Sequence, residues 1–317
     1  MRRHRGRNTQ KSRGGLMNKC SFRRIGIVMN PAAGGWLAEK WKDRIAELLA
    51  PAEVIIRLTE GPGQGGALAG ELLSQCDLII AAGGDGTLNE VIGAMPENSN
   101  LGLIPFGTAN VVAAEFGIPS NNPEAACSII RNGIAKPVDI GVVNSRPFIM
   151  SIGIGPDAEI CREVSGTFKR HLGKGAFAIK TLAYLISKTP TPHLVTLPDG
   201  REIQSFFTIG LNTSRYAGPR QIVREARVDD GKFDLVIFRK WLPMNIIMSI
   251  AGFIILKKPL TANRNIHHIS TEGFILSNID KDYSINGKTI PYQVDGEVAG
   301  TLPATVKMQC SWINLIH

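Results

Sequence analysis

The residues best suited to chemistry lie at 83–90, where an apolar run gives way to a glycine-rich turn and then to a helix start. Three glycines let the backbone approach a ligand closely because they lack a Cβ atom. They are Gly83, Gly84 and Gly86. Thr87 and Asn89 stand near the helix start, where unpaired N–H groups and the helix dipole favour an anion. Asp85 lies within the turn, so we expect the anion to arrive with a metal ion, and the pattern predicts a magnesium–nucleotide phosphate.

The elements that must position this turn alternate between strand and helix. Strands are predicted at 24–30, 53–58, 78–82 and 101–105. Helices are predicted at 37–49, at 67–75, and from the end of the turn at 106–110 to about residue 116. This alternation is typical of a parallel, doubly wound sheet, whose ligands bind beyond the carboxyl ends of the strands. The turns that follow the four strands should therefore converge on one site. They are 30–35, 59–66, 83–87 and 106–110.

The pattern changes after Val138, where short segments, often alternating, are separated by turns. The predicted strands are 138–143, 147–154, 193–197, 203–212, 232–238, 266–277 and 290–298, with helices only at 173–188 and 241–257. Such spacing is typical of an antiparallel β domain. We therefore expect an α/β chain in which a doubly wound nucleotide-binding domain, residues 24–140, precedes a β-rich, sandwich-like domain, residues 141–317.

The net charge of +9 comes from the N-terminus of the chain. Residues 1–24 hold nine of the 36 Lys and Arg residues and no acid, which leaves 27 basic against 27 acidic residues elsewhere. Residues 1–23 have too few apolar side chains to fold alone and are predicted to be a disordered basic tail. The tail could instead contact anionic lipid. Nucleic acid is not an expected partner, because no aromatic residue interleaves these basic residues before Phe22.

The cysteines and the apolar segments indicate in which cellular compartment the protein is expected. The five cysteines are scattered and show no zinc-site spacing, which is typical of reduced thiols in the cytoplasm. No apolar run reaches the roughly 18 residues that a membrane span requires. Residues 242–256 are strongly apolar and flanked by basic residues, so they form either a buried helix or an apolar lip for an acyl chain beside anionic headgroups.

Four segments together resemble one known family. Residues 83–91 (GGDGTLNEV) resemble the nucleotide-binding signature of the diacylglycerol kinase, sphingosine kinase and NAD kinase superfamily, and residues 105–110 (PFGTAN) resemble its next conserved turn. Residues 148–158 (FIMSIGIGPDA) and the Asp-Gly-Glu of residues 295–297 are similar to its later motifs. The chain is thereby identified as a diacylglycerol-kinase-like lipid kinase of bacterial type, with the resemblance extending over residues 24–300.

The resemblance implies a set of nucleotide contacts for ATP with Mg²⁺. They are Asn30, Thr59, Gly83, Gly84, Asp85, Gly86, Thr87, Leu88, Asn89, Glu90, Gly107, Thr108 and Asn110. It also implies that Glu297 accepts the proton of the attacking lipid hydroxyl, with Asp295 beside it and Asp85 handling metal-bound phosphate. A carboxylate at the mouth of an apolar pocket can have a raised pKa and act in this way.

A structural magnesium site is implied by the resemblance of residues 216–234 to another family block. Its side-chain ligand would be Asp230, with the carbonyl oxygens of Arg227 and Lys232. Ligation by oxygen alone suits a hard cation. A plain Asp-Gly turn remains the alternative for this segment.

Two positions depart from the family pattern: Val111 stands where diacylglycerol kinases usually carry Asp, and Ser151 replaces an Asn.

The expected reaction is phosphorylation of diacylglycerol to phosphatidate. The alternatives are a sphingosine-like or other lipid kinase, an NAD kinase-like enzyme and a non-catalytic lipid-binding protein. A lipid substrate, the inner face of the membrane as a peripheral partner, and a homodimer are the expected associations of a cytoplasmic protein.

Overall fold

The computed structural model describes residues 22–164, 183–184, 186–216, 218, 221–256, 263–279 and 289–317. The predicted basic tail lies outside these residues up to position 21, as does most of the predicted helix 173–188. Among the described residues, no helix is long and apolar enough to cross a membrane.

The first half of the chain alternates strands and helices as predicted. Its elements are β1 (Arg24–Met29), α1 (Ala33–Leu48), β2 (Glu53–Leu58), α2 (Gly65–Leu73), β3 (Leu78–Gly83), α3 (Asp85–Ile92), β4 (Ser99–Pro105), α4 (Val111–Glu115) and α5 (Pro123–Asn132). The four strands pair in parallel in the order β2-β1-β3-β4. All six residues of β3 are buried because helices cover the sheet, with α1 packed on α5 and α2 packed on α3.

The second half is mainly antiparallel. Its elements are β5 (Ala135–Val143), β6 (Arg146–Phe148), β7 (Ser151–Ile154), α6 (Pro156–Val164), β8 (His193–Thr196), β9 (Glu202–Ser205), β10 (Phe207–Leu211), β11 (Phe233–Phe238), α7 (Pro243–Leu256), β12 (Ile266–Thr271), β13 (Gly273–Asn278), β14 (Pro291–Val294), β15 (Glu297–Thr301) and β16 (Ala304–Ile316). Six of these strands form a sheet in the order β12-β11-β10-β7-β14-β15. The predicted α/β class, with an antiparallel β unit following the doubly wound part, is confirmed.

Three segments predicted as single strands are pairs of strands that belong to different sheets. Residues 147–154 divide into β6 and β7, residues 203–212 into β9 and β10, and residues 266–277 into β12 and β13. The larger sheet takes the first member of two pairs, β6 and β9, and the second member of the third, β13. Their partners β7, β10 and β12 belong to the smaller sheet. Chains that switch sheets at a break in this way make the corners of a β-sandwich.

The last strand joins the two halves of the chain. Residues 313–315 of β16 pair in parallel with β4 on one side and antiparallel with β5 on the other, and residues 304–307 pair antiparallel with β13. The parallel sheet of the first half therefore continues into strands of the second half. The predicted domain division at residue 140 stays a prediction.

Candidate active site

Two glycine-rich turns meet at the carboxyl ends of β3 and β4. The carbonyl oxygen of Gly83 accepts hydrogen bonds from the N–H groups of Phe106, at 2.8 Å, and Gly107, at 3.3 Å. A Cβ atom on Gly107 would lie 2.5 Å from the Cα atom of Gly84, so any larger residue would push the turns apart. The predicted convergence of these two turns is thus present in the backbone itself.

Asp85 fastens the two turns together. Its Oδ1 atom accepts a hydrogen bond from the N–H of Val111 at 2.9 Å. Burial raises the pKa of Asp85, while the N–H groups of Val111, Val112 and Asn110 act in the opposite direction. The side chain is partly buried at the first position of α3, where a carboxylate interacts favourably with the helix dipole.

Two buried amide oxygens lie near these turns without a hydrogen-bond partner among the described residues. They are Oδ1 of Asn89 and Oδ1 of Asn110. Asn110 adopts a left-handed conformation with φ of 46°, and its Nδ2 atom donates to the carbonyl oxygen of Gly107 at 2.7 Å. Buried acceptors need a donor or a cation. These two therefore suit a bound hydroxyl, amine or metal ion, which fits the predicted complex of ATP with Mg²⁺.

Glu90 holds the loop that follows β2. Its two carboxylate oxygens accept hydrogen bonds from the N–H groups of Gly63 and Gly65, each at 2.7 Å. A Cβ atom on Gly65 would lie 2.7 Å from Oε2 of Glu90, which explains the glycine. The predicted nucleotide contact of Glu90 stays a prediction, and the structure gives this carboxylate a role in shaping the loop.

The other predicted nucleotide contacts lie at the same edge of the sheet. Asn30 directly follows β1, and its Oδ1 atom accepts from the N–H of Ala32 at 3.1 Å. Thr59 directly follows β2, is buried, and donates its N–H to the carbonyl oxygen of Met29 at 2.9 Å. Near the ends of β3 and β4, Thr87 and Leu88 of α3 are buried, whereas Gly86 and Thr108 are exposed.

The Asp-Gly-Glu motif forms a two-residue hairpin between β14 and β15. Val294 pairs with Glu297, and the loop residues Asp295 and Gly296 both have positive φ, 50° and 85°. This combination is typical of a type I′ turn, which favours Asp-Gly. The motif is therefore a rigid support for the two carboxylates on either side of its glycine.

Asp295 is held by three backbone N–H groups in the break between β6 and β7. Its Oδ2 atom accepts from Ile149 at 3.0 Å, and its Oδ1 atom accepts from Met150 and Ser151, each at 2.9 Å. These hydrogen bonds explain why residues 147–154 do not form one strand. Burial, with a contribution from the negative charge of Asp85, raises the pKa of Asp295 to about 6 against the opposing effect of the three amides.

Glu297, from the second half of the chain, reaches the turn at residues 83–87. A Cβ atom on Gly86 would lie 3.9 Å from its Oε1 atom. The other oxygen pairs with Nη2 of Arg146 at 3.1 Å, and the Glu297 side chain is 49% exposed. The structure thus brings Asp85, Asp295 and Glu297 close to one another. Sequence reasoning missed Arg146, since a single Arg in a three-residue strand gives no signal.

The predicted metal turn is built around a buried carboxylate that sequence reasoning also missed. Asp139 of β5 accepts hydrogen bonds from the N–H groups of Gly231 and Ser311, each at 2.7 Å. Burial raises the pKa of Asp230, and the negative charges of Asp234 and Asp139 add to this effect. A cation would relieve this excess negative charge, so the turn fits a hard ion.

No three His, Cys, Asp or Glu side chains cluster as a metal site within the described part of the chain. The predicted site relies instead on the Asp230 carboxylate and on the carbonyl oxygens of Arg227 and Lys232. Asp230 itself accepts the N–H of Lys232 at 3.1 Å, so the turn is already closed around its carboxylate. The ligand assignment stays a prediction.

Comparison with known proteins gives the same family over nearly the whole chain. Residues 24–143 match the diacylglycerol kinase catalytic domain, and residues 150–317 match the YegS C-terminal NAD kinase beta sandwich-like domain. The diacylglycerol kinase of Bacillus subtilis is 32% identical over 294 residues, covering 89% of this chain and 92% of that protein. That of Staphylococcus haemolyticus is 33% identical over 304 residues, covering 91% and 85%.

The chain belongs to the diacylglycerol kinase family. It is therefore a kinase, and the resemblance inferred from its motifs is confirmed. The crystal structure of a diacylglycerol kinase from Bacillus anthracis has the same fold, with a TM-score of 0.75, 24% identity, and coverage of 94% of this chain and 98% of that one.

Proposed function

We propose that this kinase transfers the γ-phosphate of ATP to the free hydroxyl of diacylglycerol, forming phosphatidate. The observation that carries the proposal is the placement of Glu297 beside Gly86, because it brings a carboxylate base to the turn that would hold the nucleotide phosphates. The relatives named diacylglycerol kinase, which match over some nine-tenths of this chain, support the choice of acceptor.

The proposed reaction uses positioning and charge more than covalent chemistry. Residues 84–90 would hold the phosphates of ATP, and Mg²⁺ bound with them would supply positive charge to the transferring group. Asp85 keeps the two turns in register through Val111 and directs a carboxylate toward the metal-bound phosphate. Asn89 and Asn110 offer their unpaired oxygens to the bound complex.

Glu297 is the proposed general base. It accepts the proton of the lipid hydroxyl as the hydroxyl oxygen attacks the γ-phosphorus, and the bond from that phosphorus to the β–γ bridging oxygen breaks to release ADP. Arg146 keeps the Glu297 carboxylate oriented through their 3.1 Å ion pair. Asp295 is committed to three backbone N–H groups, which suits it to holding the hairpin and not to moving toward a substrate.

A surface of apolar side chains supports access to a lipid in a membrane. Leu242, Met244 and Met248 on and before α7 are exposed, the two methionines by 68% and 64%. Ile186 is also exposed. Its segment is connected to the start of α7 by a 3.0 Å hydrogen bond that Nε1–H of Trp241 donates to the carbonyl oxygen of Lys188. We propose that this apolar surface, with Arg239, Lys240 and the basic tail, rests on the anionic inner face of the membrane.

The test of the proposed function is a transfer assay with radiolabelled ATP and four acceptors in mixed micelles or buffer: diacylglycerol, sphingosine, total lipid extract and NAD. We expect labelled phosphatidate, identified by mass spectrometry, as the main product. Labelled sphingosine phosphate or NADP in its place would assign the enzyme to the corresponding alternative, and no product from any acceptor would contradict the proposal.

A further inference from the structure

A chain of hydrogen-bonded, buried polar side chains reaches the Asp-Gly-Glu hairpin. Asp157, at the start of α6, accepts hydrogen bonds from Nε2 of Gln293, at 2.5 Å, and from the hydroxyl of Tyr216. The other end of the Gln293 amide accepts the N–H of Gly296 at 2.6 Å. The chain thus runs from Tyr216 to the glycine that separates Asp295 from Glu297.

The residues around these hydrogen bonds are arranged to accommodate them. Gln293 is 1% exposed and Asp157 is 8% exposed. A Cβ atom on Gly153 of β7 would collide with Oδ2 of Asp157 and would lie 2.6 Å from Nε2 of Gln293. The glycine of this strand is therefore required for the Asp157–Gln293 contact to exist.

Each partner in this chain has its donors and acceptors matched. Both neighbours of Asp157 donate to it, so its carboxylate acts as a double acceptor, although burial raises its pKa. Gln293 donates with one end of its amide and accepts with the other. The amide orientation is consequently fixed by Asp157, and a wrongly turned amide would present a donor to the N–H of Gly296.

We propose that Asp157 is a positioning residue for phosphoryl transfer, which acts through the Gln293 amide to fix the hairpin that carries Asp295 and Glu297. This inference rests on the proposed role of the hairpin at the site of transfer. The N–H of Gly296 donates to the Gln293 amide, so this amide restrains the hairpin at the residue between the two carboxylates. A loss of about 1 Å in the placement of a catalytic group can cost on the order of 10²-fold in rate.

The experiment exchanges the donor and acceptor groups of the pair. Asp157→Asn exchanges one of the two acceptor oxygens for a donor, so the side chain can no longer accept from both Gln293 and Tyr216, and Gln293→Glu sets an acceptor against the Asp157 carboxylate. The double variant restores the match, because the Asn amide donates to one Glu oxygen while the other oxygen still accepts from Gly296. Asp199→Asn, at an exposed turn that pairs with Arg201, is the matched control for an Asp-to-Asn change.

We expect each single variant to lower kcat by about 10- to 100-fold with the KM for ATP changed by less than about threefold, and the double variant to recover most of kcat. The assays are run below the melting temperature of every variant. Wild-type kcat in both single variants, or loss of kcat that follows melting temperature with no recovery in the double variant, would overturn the inference.

Hydrogen exchange gives a second readout that needs no substrate. The amide of Gly296 should exchange faster in each single variant, relative to neighbouring strand amides, and should regain protection in the double variant. Unchanged protection in the single variants would also overturn the inference. Absence of wild-type transfer to any lipid would instead count against the proposed function, while the exchange result would still decide whether Asp157 fixes the hairpin.

Discussion

The carboxylate of Asp85 is bound to the backbone of Val111, with 2.9 Å between Oδ1 and the amide nitrogen. Position 111 is where the family resemblance leads one to expect a second Asp. Because the contact uses the N–H of residue 111, replacing the side chain there leaves the hydrogen bond in place. The Val111 side chain is itself buried, so it contributes to the core beneath the two turns.

Asp85→Asn should abolish most phosphoryl transfer while the fold is retained. The amide oxygen can still accept the N–H of Val111, but the variant lacks the negative charge of the Asp85 carboxylate, which we propose acts on the metal-bound phosphate. We expect kcat to fall by on the order of 10²-fold or more, as for other electrostatic groups at a transferring centre. Transfer assays and thermal melts would check this, and turnover near that of wild type would rule out the assignment.

Val111→Ala should have the opposite effect to Asp85→Asn, with lower stability and nearly unchanged activity. The N–H that holds Asp85 remains, while two buried methyl groups are removed, at a cost of about 1–3 kcal/mol in unfolding free energy. We therefore expect a lower denaturation midpoint with kcat within about threefold of wild type. A large loss of kcat without loss of stability would show that the side chain, and not the backbone, serves the reaction.

The doubly wound half of the fold could be predicted because its signals are local. Apolar strands end in turns at 83–87 and 106–110, and parallel sheets bring such turns to one edge. The predicted helix at 241–257 matches α7, whereas α5, α6 and β16 were not predicted. No local pattern shows that β16, far along the chain, pairs with β4.

The site could be predicted by residue type but not by partner. The motifs name Asp295 and Glu297, yet the groups that hold them are the backbone of residues 149–151 and the side chain of Arg146. Backbone N–H groups are the same in every sequence, and a lone Arg carries no spacing. Strand breaks such as that at Ile149 and Met150 arise from these long-range contacts, which explains why the predicted strand 147–154 was too long.

Asp230→Ala should lower both the melting temperature and the magnesium response of the protein. If Asp230 binds a structural Mg²⁺, excess Mg²⁺ stabilises the folded wild type by mass action, and the variant loses this gain. Thermal melts of both proteins over a magnesium titration, with Asp199→Asn as the control carboxylate, would measure it. A magnesium-dependent shift that survives in the variant would place the ion elsewhere.

The raised pKa of Asp295 predicts a pH-dependent stability. Its folded pKa is about 6 and its ordinary value is 3.8, so between these values the folded state keeps a proton that the unfolded state has lost. Stability from this group is therefore present at low pH and is lost as pH rises toward about 6, by up to roughly 3 kcal/mol.

Asp295→Asn should remove this contribution, because the amide does not titrate. Urea denaturation at about pH 4.5 and pH 7 would compare how much stability each protein loses between the two conditions. The quantity compared is the change in unfolding free energy between the two pH values and not its value at one pH, because the Asn variant also loses the hydrogen bond from the N–H of Ile149. An equal loss in variant and wild type would show that Asp295 is not the titrating group.

Glu297→Gln tests the chemistry most directly. A lipid hydroxyl is a poor nucleophile at neutral pH, and a general base contributes typically about 10²–10⁴-fold. The amide keeps the size of the side chain and can still accept from Arg146 but cannot take the proton, so kcat should fall by that order while ATP affinity barely changes. Arg146→Met separates orientation from basicity and should lower kcat less than Glu297→Gln does, because the carboxylate remains. If Glu297→Gln keeps full activity and Asp295→Asn is inactive, the base is Asp295. If both keep full activity, the Asp-Gly-Glu hairpin serves only the fold, and the proposed mechanism is wrong.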